Sequence, residues 1–158
     1  MTQSIEKACC FTGHRDLPKN EREQLRRDLD TVIENLYTLS GVDTFISGGA
    51  LGFDTLAAEA VIEAKRRHPD IRLVFALPCT DHSKLWRESD AAKFRVLSLY
   101  ASEIFCMRES YTRGCMHERN RFMLQNSLYC VSYCRKNSGG TFYTVNEAKK
   151  MERTLIEL

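Results

Sequence analysis

The sequence predicts an α/β protein with a Rossmann-like, doubly wound, mostly parallel five-stranded sheet and helices on both faces. Short apolar runs alternate with amphipathic helical runs, which is the pattern of parallel strands joined by right-handed crossovers. A glycine-rich turn separates the second apolar run from the helix that follows it. The length of 158 residues fits one domain, so residues 1–158 are expected to form a single unit.

The first half of the chain predicts three strands and two helices. Residues 8–13 are apolar and β-compatible. Apolar residues at helical spacing predict a helix from residue 20 to the glycine at position 41. Residues 43–47 form the second strand, and the next helix runs from residue 53 to residue 68, where a proline ends it. The nearly continuous apolar run 71–77 is typical of a strand covered by helices on both faces.

The second half predicts two further strands and three helices. The helices cover residues 86–100, 116–125 and 143–158, and the strands cover residues 103–106 and 128–133. The last helix is predicted because apolar residues recur there at helical spacing, with Leu155 and Ile156 turned toward the core.

The turn between the second strand and the second helix is a candidate anion site. Gly48, Gly49 and Gly52 lack a Cβ atom, so a ligand can approach the backbone N–H groups at the helix start. The same glycines would also let the helix pack closely on the sheet. Asp54 either caps this helix or accepts a hydrogen bond from a ribose hydroxyl. A Walker A loop would need Lys and then Ser or Thr, so phosphoryl transfer of the kinase or ATPase type is not expected.

Several polar or glycine-rich segments follow predicted strands and should meet at one edge of the sheet. In open parallel sheets, ligands bind beyond the carboxyl ends of the strands, where the strand order reverses. This rule favours ligand binding over a pure packing role for the glycine-rich turn. The ligand- or phosphate-binding residues predicted at this edge are Gly13, His14, Arg15, Ser47, Gly48, Gly49, Gly52, Asp54, Arg119, Asn120, Gly139, Gly140 and Thr141.

Two arginines are the strongest phosphate partners in this set. The guanidinium groups of Arg15 and Arg119 can grip phosphate oxygens bidentately, with surface salt bridges as the alternative. His14 is a candidate acid or base, or it hydrogen-bonds a loop. Asn120 would contact a base or ribose, or it would orient its own loop. Trp86 serves as a packing anchor or as a stacking platform for a base.

Charge and cysteine usage narrow the classes of function. Basic and acidic residues nearly balance at a formal charge of +2, so composition does not indicate a nucleic-acid-binding protein. Seven cysteines occur without a signal peptide, without an apolar run long enough to span a bilayer and without a Cys-x-x-Cys pair. These features predict free thiols, a cytoplasmic location, no membrane association and no metal site.

Five motifs occur in a fixed order along the chain. They are Thr12-Gly13-His14-Arg15, Ser47-Gly48-Gly49-Ala50-Leu51-Gly52-Phe53-Asp54, Trp86, Arg119-Asn120 with Met123, and Gly139-Gly140-Thr141. Together they resemble the YpsA-like branch of the SLOG superfamily, which groups the Smf/DprA DNA-processing proteins with the LOG phosphoribohydrolases. The resemblance covers nearly the whole chain. It implies a Rossmann-like fold with a pocket for nucleotides or nucleotide-derived ligands.

The resemblance to the LOG enzymes is incomplete at the residues those enzymes use for catalysis. Their Pro-Gly-Gly-x-Gly-Thr-x-x-Glu pattern falls on residues 138–146, where Gly139 and Gly140 match. Asn146 stands at the position of the catalytic glutamate, and Glu147 is one residue out of register, which turns a helical side chain by about 100°. The sequence therefore favours a binding module over an enzyme, with a LOG-related nucleotide hydrolase as an alternative.

The predicted function is binding of a nucleotide or nucleotide-derived phosphorylated ligand in a sensing or scaffolding role. DprA-like binding of single-stranded DNA ranks second. The cationic groove of such a DNA-binding protein would use Arg15, Arg113, Arg119 and Arg121 with Tyr111. The sequence leaves open whether the protein forms a homodimer, since no apolar stripe marks an interface. If the leading hypothesis holds, Arg15→Ala and Gly49→Val should abolish binding without unfolding the protein.

Overall fold

A computed structural model describes Met1 and residues 4–158 and shows strands alternating with helices. The strands are β1 (Ala8–Gly13), β2 (Thr44–Ser47), β3 (Arg72–Cys79), β4 (Glu103–Arg108), β5 (Tyr129–Tyr133) and β6 (Thr154–Glu157). The helices are α1 (Lys19–Ser40), α2 (Phe53–Arg67), α3 (Glu88–Ser98), α4 (Cys115–Gln125) and α5 (Gly140–Lys150). Each α-helix connects two successive strands, as the alternating sequence pattern predicts.

The strands form one parallel sheet in the order β4-β3-β2-β1-β5-β6. From β1 the chain moves outward to β4, returns through α4 to the other side of β1, and continues to β5 and β6. The strand order therefore reverses between β1 and β5. Right-handed crossovers place α1, α2 and α3 on one face and α4 and α5 on the other, in agreement with the helix contacts. The predicted doubly wound α/β class is confirmed.

The core has an apolar layer on each face of the sheet. On one face, Phe11 and Phe45 stack with ring centroids 6.2 Å apart and pack with the buried Leu29 of α1. On the other face, Ile46 belongs to a second buried cluster that includes Met123 of α4. Neighbouring strand residues enter opposite layers because side chains alternate across a strand. Both layers are covered by helices, which explains the nearly continuous apolar strands.

The sheet has six strands, so the prediction of five was wrong. The last helix begins at Gly140 and ends at Lys150, and residues 154–157 form β6 against β5 instead of continuing the helix. Glu152 makes the turn between them with a positive φ of 57°, which sequence periodicity does not signal. Leu155 pairs in register with Cys130, because the free edge of β5 offers backbone hydrogen bonds that a helix would not use.

Other features of the described residues bear on the sequence predictions. All seven cysteines lie in this part of the chain and are free thiols, as expected. No helix here is both long enough and apolar enough to cross a bilayer. Within the same residues, no group of three or more His, Cys, Asp or Glu side chains is placed to hold a metal ion.

Candidate ligand-binding site

A cleft opens at the carboxyl edge of the sheet, where the strand order reverses between β1 and β5. Its first part, which we call the β1/β5 cavity, has a volume of about 610 Å³. The loop after β1 forms one wall, and the loop after β5 with the start of α5 forms the opposite wall. Side chains from the first turns of α4, including Arg119 and Asn120, complete the cavity. This is the edge at which the sequence places a ligand site.

A second cavity adjoins the first and extends along the same edge toward β3. This β3 cavity has a volume of about 660 Å³ and is lined by the end of β3, the segment after it and Tyr111. Arg15, Ala50, Met116 and Arg119 line both cavities. The two spaces are therefore parts of one cleft that crosses the sheet edge from β5 to β3.

The glycine-rich turn after β2 packs tightly against its neighbours. Gly52 has a φ of +77°, and a Cβ atom there would lie 2.1 Å from the carbonyl oxygen of Arg15. Gly49 has a φ of +68°, and a Cβ atom there would lie 2.5 Å from Cδ2 of Leu77. Because Gly49 faces the core, Gly49→Val is now expected to destabilise the fold, contrary to the expectation from sequence that it would only abolish binding.

We expect Gly52→Ala to lower the free energy of unfolding by about 2–5 kcal/mol, because it combines a left-handed backbone with a backbone clash. Gly114→Ala is the matched control, since Gly114 has a φ of +86° but no atom within 4 Å of an added Cβ. The control should cost only about 1 kcal/mol. Urea denaturation of both variants measures the difference, and equal losses would contradict the packing role.

The first N–H group of α2 and two N–H groups of the turn before it already have partners. Phe53 N–H donates to the carbonyl oxygen of His14 at 3.1 Å, and Ala50 N–H donates to Oδ2 of Asp54 at 3.3 Å. The hydroxyl of Ser47 donates to the Asp54 carbonyl at 3.1 Å and accepts from Gly49 N–H at 3.2 Å. These bonds fix the turn internally, and the Asp54 carboxylate bonds an N–H of the turn before α2.

The start of α5, by contrast, is open toward the β1/β5 cavity. Gly139 precedes this helix with a φ of +93°, and no side chain caps it. Tyr143 N–H bonds back to the Gly139 carbonyl at 3.0 Å, so the N–H groups of Gly140, Thr141 and Phe142 precede the helical ladder. A Cβ atom at Gly139 or Gly140 would meet no atom within 4 Å. With no acidic residue in its first turn, this positive helix end suits an anion.

Arg119 brings a buried positive charge to the centre of the cleft. It is 5% exposed, its Nε donates to Oδ1 of Asn120 at 2.7 Å, and its Nη1 donates to the carbonyl oxygen of Gly48. Burial lowers the pKa of the Arg119 guanidinium, and the Asp54 carboxylate opposes that shift. Arg119 Nη1 and Asp54 Oδ2 both lie 2.6 Å from the position a Gly48 Cβ would take. Glycine at this position therefore lets both charged groups approach the turn.

Asp54 is a buried carboxyl group with a perturbed pKa. Burial raises the pKa of Asp54 to about 6, although Arg119, the Ala50 N–H and Arg15 each act to lower it. Among the ion pairs of the described residues, none joins Asp54 directly to Arg119. The carboxylate is thus stabilised only partly, and a further negative charge in the cleft would favour its protonation.

The raised pKa of Asp54 predicts a pH dependence of stability. The folded protein holds this proton more tightly than the unfolded chain, whose carboxyl has a pKa of 3.8, so the stabilisation is complete below pH 3.8 and is lost as pH rises through about 6. Relative to Asp54→Asn, the wild type should lose about 3 kcal/mol of unfolding free energy between pH 3.5 and pH 7. Urea denaturation of both proteins across this range measures it, and parallel curves would contradict the assignment.

Arg15 and His14 occupy the loop between β1 and α1 in different ways. Arg15 is exposed and lines both cavities, and no side-chain hydrogen bond or ion pair among the described residues engages it. His14 Nε2 accepts a hydrogen bond from Arg135 N–H at 2.8 Å. Burial, Lys136 and Arg135 lower the pKa of His14. His14 therefore holds the loop after β5, and its acceptor nitrogen is already engaged.

The profile of the YspA SLOG family matches residues 9–156. The chain belongs to this family. YoqJ, an uncharacterised SPbeta prophage-derived protein of Bacillus subtilis, is 30% identical over an alignment of 139 residues that covers 80% of this chain and 81% of YoqJ. The fold of this SLOG chain is also similar to DNA processing protein A (DprA) from two bacteria.

The similarity to DprA lies in the fold. DprA from Streptococcus pneumoniae superposes with a TM-score of 0.66 at 16% identity, over 95% of this chain and 49% of that chain. DprA from Helicobacter pylori, described for its single-stranded DNA binding mode, superposes with a TM-score of 0.68 at 17% identity, over 97% of this chain and 65% of that chain. The SLOG chain thus spans about half of one DprA chain and less than two thirds of the other.

The SLOG cleft brings together most of the residues predicted from sequence. The predicted residues that line the β1/β5 cavity are Gly13, His14, Arg15, Asp54, Arg119, Asn120, Gly139, Gly140 and Thr141. Gly48 lines the β3 cavity. Ser47 and Gly49 line neither, and Gly52 borders a smaller hollow beside α1 and α3. Further residues line the β1/β5 cavity and were not predicted from sequence, where only their proximity to a motif could have indicated them. They include Asp16, Met116, His117, Lys136 and Ser138.

The glutamates considered from sequence lie outside the β1/β5 cavity of this SLOG chain. Glu147 accepts a hydrogen bond from Lys150 Nζ at 3.3 Å and borders a small hollow between α4 and α5. Glu118 pairs with Arg108 at 3.0 Å on the surface. The carboxylates that line the β1/β5 cavity are those of Asp16 and Asp54.

Proposed function

We propose that this SLOG protein binds a nucleotide or a nucleotide-derived phosphorylated ligand, with a phosphate group at the start of α5. The observation that carries the proposal is the open helix end, where Gly140, Thr141 and Phe142 have N–H groups free of intrahelical partners beside the cavity. Backbone donors and the helix dipole both favour a negative charge at this position. The protein would then act as a sensor of this ligand or as a scaffold that the ligand controls.

Cationic side chains around the helix end support the same ligand class. Arg15, Arg119 and Lys136 line the β1/β5 cavity, and the carboxylates there are Asp16 and the partly protonated Asp54. Arg15 is exposed and free to move onto a phosphate, whereas Arg119 is held in place by Gly48 and Asn120. The fixed guanidinium of Arg119 and the mobile guanidinium of Arg15 can together bind several oxygens of a phosphorylated ligand.

Single-stranded DNA is the second candidate, and one observation favours it. Arg15 also borders a hollow of about 220 Å³ with Arg22 and Lys93, so cationic side chains continue past the cleft, although Asp90 borders the same hollow and Lys93 pairs with Glu59 at 2.6 Å. A backbone of several nucleotides could follow such a line. Two of the arginines named from sequence do not support it, because Arg113 and Arg121 do not line either cavity of the cleft.

A LOG-related hydrolase has less support than a binding protein. Glu147 is engaged with Lys150 and does not line the β1/β5 cavity, and the acceptor nitrogen of His14 is engaged by the Arg135 N–H. A hydrolytic reaction would need a general base within reach of an attacking water. Loss of measurable turnover in Asp54→Asn, from a detectable wild-type rate on nucleotides, would favour the enzyme over the binding module.

Isothermal titration of the protein with AMP, ADP, ATP and a single-stranded oligodeoxynucleotide tests the proposal. We expect a nucleotide to bind, and Arg15→Ala to weaken binding about 10- to 100-fold, because hydrogen bonds to charged groups contribute about 1.5–3 kcal/mol. Arg66→Ala is the matched control, since Arg66 is exposed on α2 and pairs with Glu63. No heat with any nucleotide would refute the proposal. Binding of the oligonucleotide alone, with a steep salt dependence, would favour DNA.

A further inference from the structure

The β3 cavity has features that the phosphate site does not explain. Its walls carry Trp86 and Tyr111, together with the aliphatic side chain of Leu85. Leu85 is 94% exposed and Tyr111 is 68% exposed, although both are large apolar or aromatic side chains. They come from two different loops and face the same cavity. Exposed apolar groups that converge on one concave site indicate a ligand with an apolar or planar part.

The two loops that carry these side chains are tied together at their bases. Thr80 N–H donates to the Arg108 carbonyl at 3.2 Å, and the Thr80 hydroxyl donates to the Glu109 carbonyl. The cavity therefore has a fixed floor, and the side chains at the loop tips remain free to close on a ligand.

Trp86 stands on a rigid support. It meets His82 edge to face with ring centroids 5.0 Å apart, and it meets Phe94 of α3 at 6.1 Å. His82 Nε2 lies 3.2 Å from the Gly49 carbonyl oxygen, which links this wall to the glycine-rich turn. The half-buried indole thus both packs against α3 and lines the cavity. An aromatic ring that is held in place can stack on a planar ligand at low entropic cost.

The separation of the two ends of the cleft limits the ligand. The open start of α5 follows β5, whereas the aromatic walls follow β3, and β1 and β2 lie between these strands. Three interstrand spacings amount to about 14 Å. A nucleoside monophosphate is too short to place its phosphate at α5 and its base beside Trp86. Each additional linked phosphate lengthens the ligand and adds charge where Arg15 and Arg119 line both cavities.

We propose that the β3 cavity binds the base of a nucleotide that carries two or more linked phosphates, with its terminal phosphate at α5. The base stacks between Trp86 and Tyr111, and the inner phosphates lie at Arg15 and Arg119. This assignment rests on the proposed nucleotide-binding function and adds to it the class of ligand and its direction in the cleft. Arginine side chains where the two cavities meet can bind phosphate oxygens, and aromatic side chains can stack on any of the bases.

The sole tryptophan of the chain makes the assignment measurable. The fluorescence of Trp86 is recorded during titration with AMP, ADP, ATP and inorganic tripolyphosphate, which has the phosphates of ATP without the base. We expect ATP and ADP to change the emission and bind more tightly than AMP. Tripolyphosphate should bind without the same change, as followed by calorimetry.

Tyr111→Ala separates the base from the phosphates. We expect this variant to weaken ATP binding about tenfold or more and to leave tripolyphosphate binding unchanged, because one stacking partner of the base is lost. Tyr111 is exposed, so its removal should leave the thermal unfolding midpoint unchanged. Tyr100→Ala is the matched control, since Tyr100 is 46% exposed and lies outside the cleft.

The outcomes distinguish this assignment from the proposed function. Equal weakening of ATP and tripolyphosphate by Tyr111→Ala, or no change in Trp86 emission with bound ATP, would overturn the base site and leave the phosphate site standing. If AMP binds as tightly as ATP, only the base assignment is overturned. If neither AMP, ADP, ATP nor tripolyphosphate binds, the proposed function fails as well. If a single-stranded oligonucleotide changes the emission and ATP does not, the base belongs to a nucleic acid and the assignment is overturned.

Discussion

Arg119→Met is expected to lower the free energy of unfolding by about 3–5 kcal/mol at neutral pH and to abolish ligand binding. The substitution removes a buried cation and leaves the Asp54 carboxylate buried without its main opposite charge. It also removes the donors to Gly48 and Asn120, which position the centre of the cleft. Because the pKa of Asp54 would then rise further, the loss of stability should be smaller at pH 5 than at pH 7.5.

The double variant Arg119→Met with Asp54→Asn separates stability from binding. Replacing both buried charges removes the uncompensated carboxylate, so most of the lost stability should return, because neutral replacements of buried charge pairs are often tolerated. Binding should not return, since the fixed guanidinium is still missing. Urea denaturation and calorimetry with ATP measure the two properties. If the double variant is as unstable as Arg119→Met, the loss does not come from an uncompensated Asp54 charge.

Thr141→Glu is expected to weaken binding of a phosphorylated ligand about 10- to 100-fold while slightly stabilising the protein. Thr141 lies in the first turn of α5, where an acidic side chain stabilises the helix dipole by about 0.3–1 kcal/mol. The same carboxylate would stand at the proposed phosphate position, and like charges about 4 Å apart repel by about 4 kcal/mol at the effective dielectric constant of about 20 near a protein surface. Opposite effects on stability and binding would be difficult to obtain from a structural defect.

Thr141→Gln is the matched control for this prediction, because it has nearly the shape of glutamate and no charge. It should retain most of the binding that Thr141→Glu loses. Thermal unfolding gives the stability of each variant, and calorimetry with ATP and tripolyphosphate gives the affinity. Equal affinities for the Glu and Gln variants would show that the phosphate does not lie at the start of α5.

Much of the fold could be predicted because its signals are local. The apolar runs at β2 and β3 and the helical spacing in α1 and α2 gave the correct elements within a few residues. The prediction of a helix for the last segment was wrong for a physical reason. Residues 151–158 contain an apolar pair that fits either a helix or a strand, and the exposed edge of β5 decided for a strand. The chain leaves the helix through a positive φ at Glu152, and because this residue is not a glycine, the sequence did not signal the helix end.

Most residues predicted for the candidate site line one cleft, although their contacts differ from those expected. Arg15, Arg119 and Gly139 could be placed at one edge because they follow strands that run in parallel. The glycine-rich turn after β2 and the one before α5 look alike in sequence. The first is filled by the carbonyls of the β1 loop and by Asp54, whereas a Cβ atom added at Gly139 or Gly140 in the second would meet no atom within 4 Å.

The sequence by itself determined the α/β class, the alternation of strands and helices, and the sheet edge at which the polar and glycine-rich motifs meet. These properties follow from periodicity and from the order of motifs along the chain. Only the tertiary structure decided which helix start is open, how deeply Asp54 and Arg119 are buried, and that Trp86 and Tyr111 line one cavity. These properties depend on what packs against each residue, which sets the access to a backbone donor, the desolvation of a charge and the convergence of distant loops. Local sequence does not specify this packing.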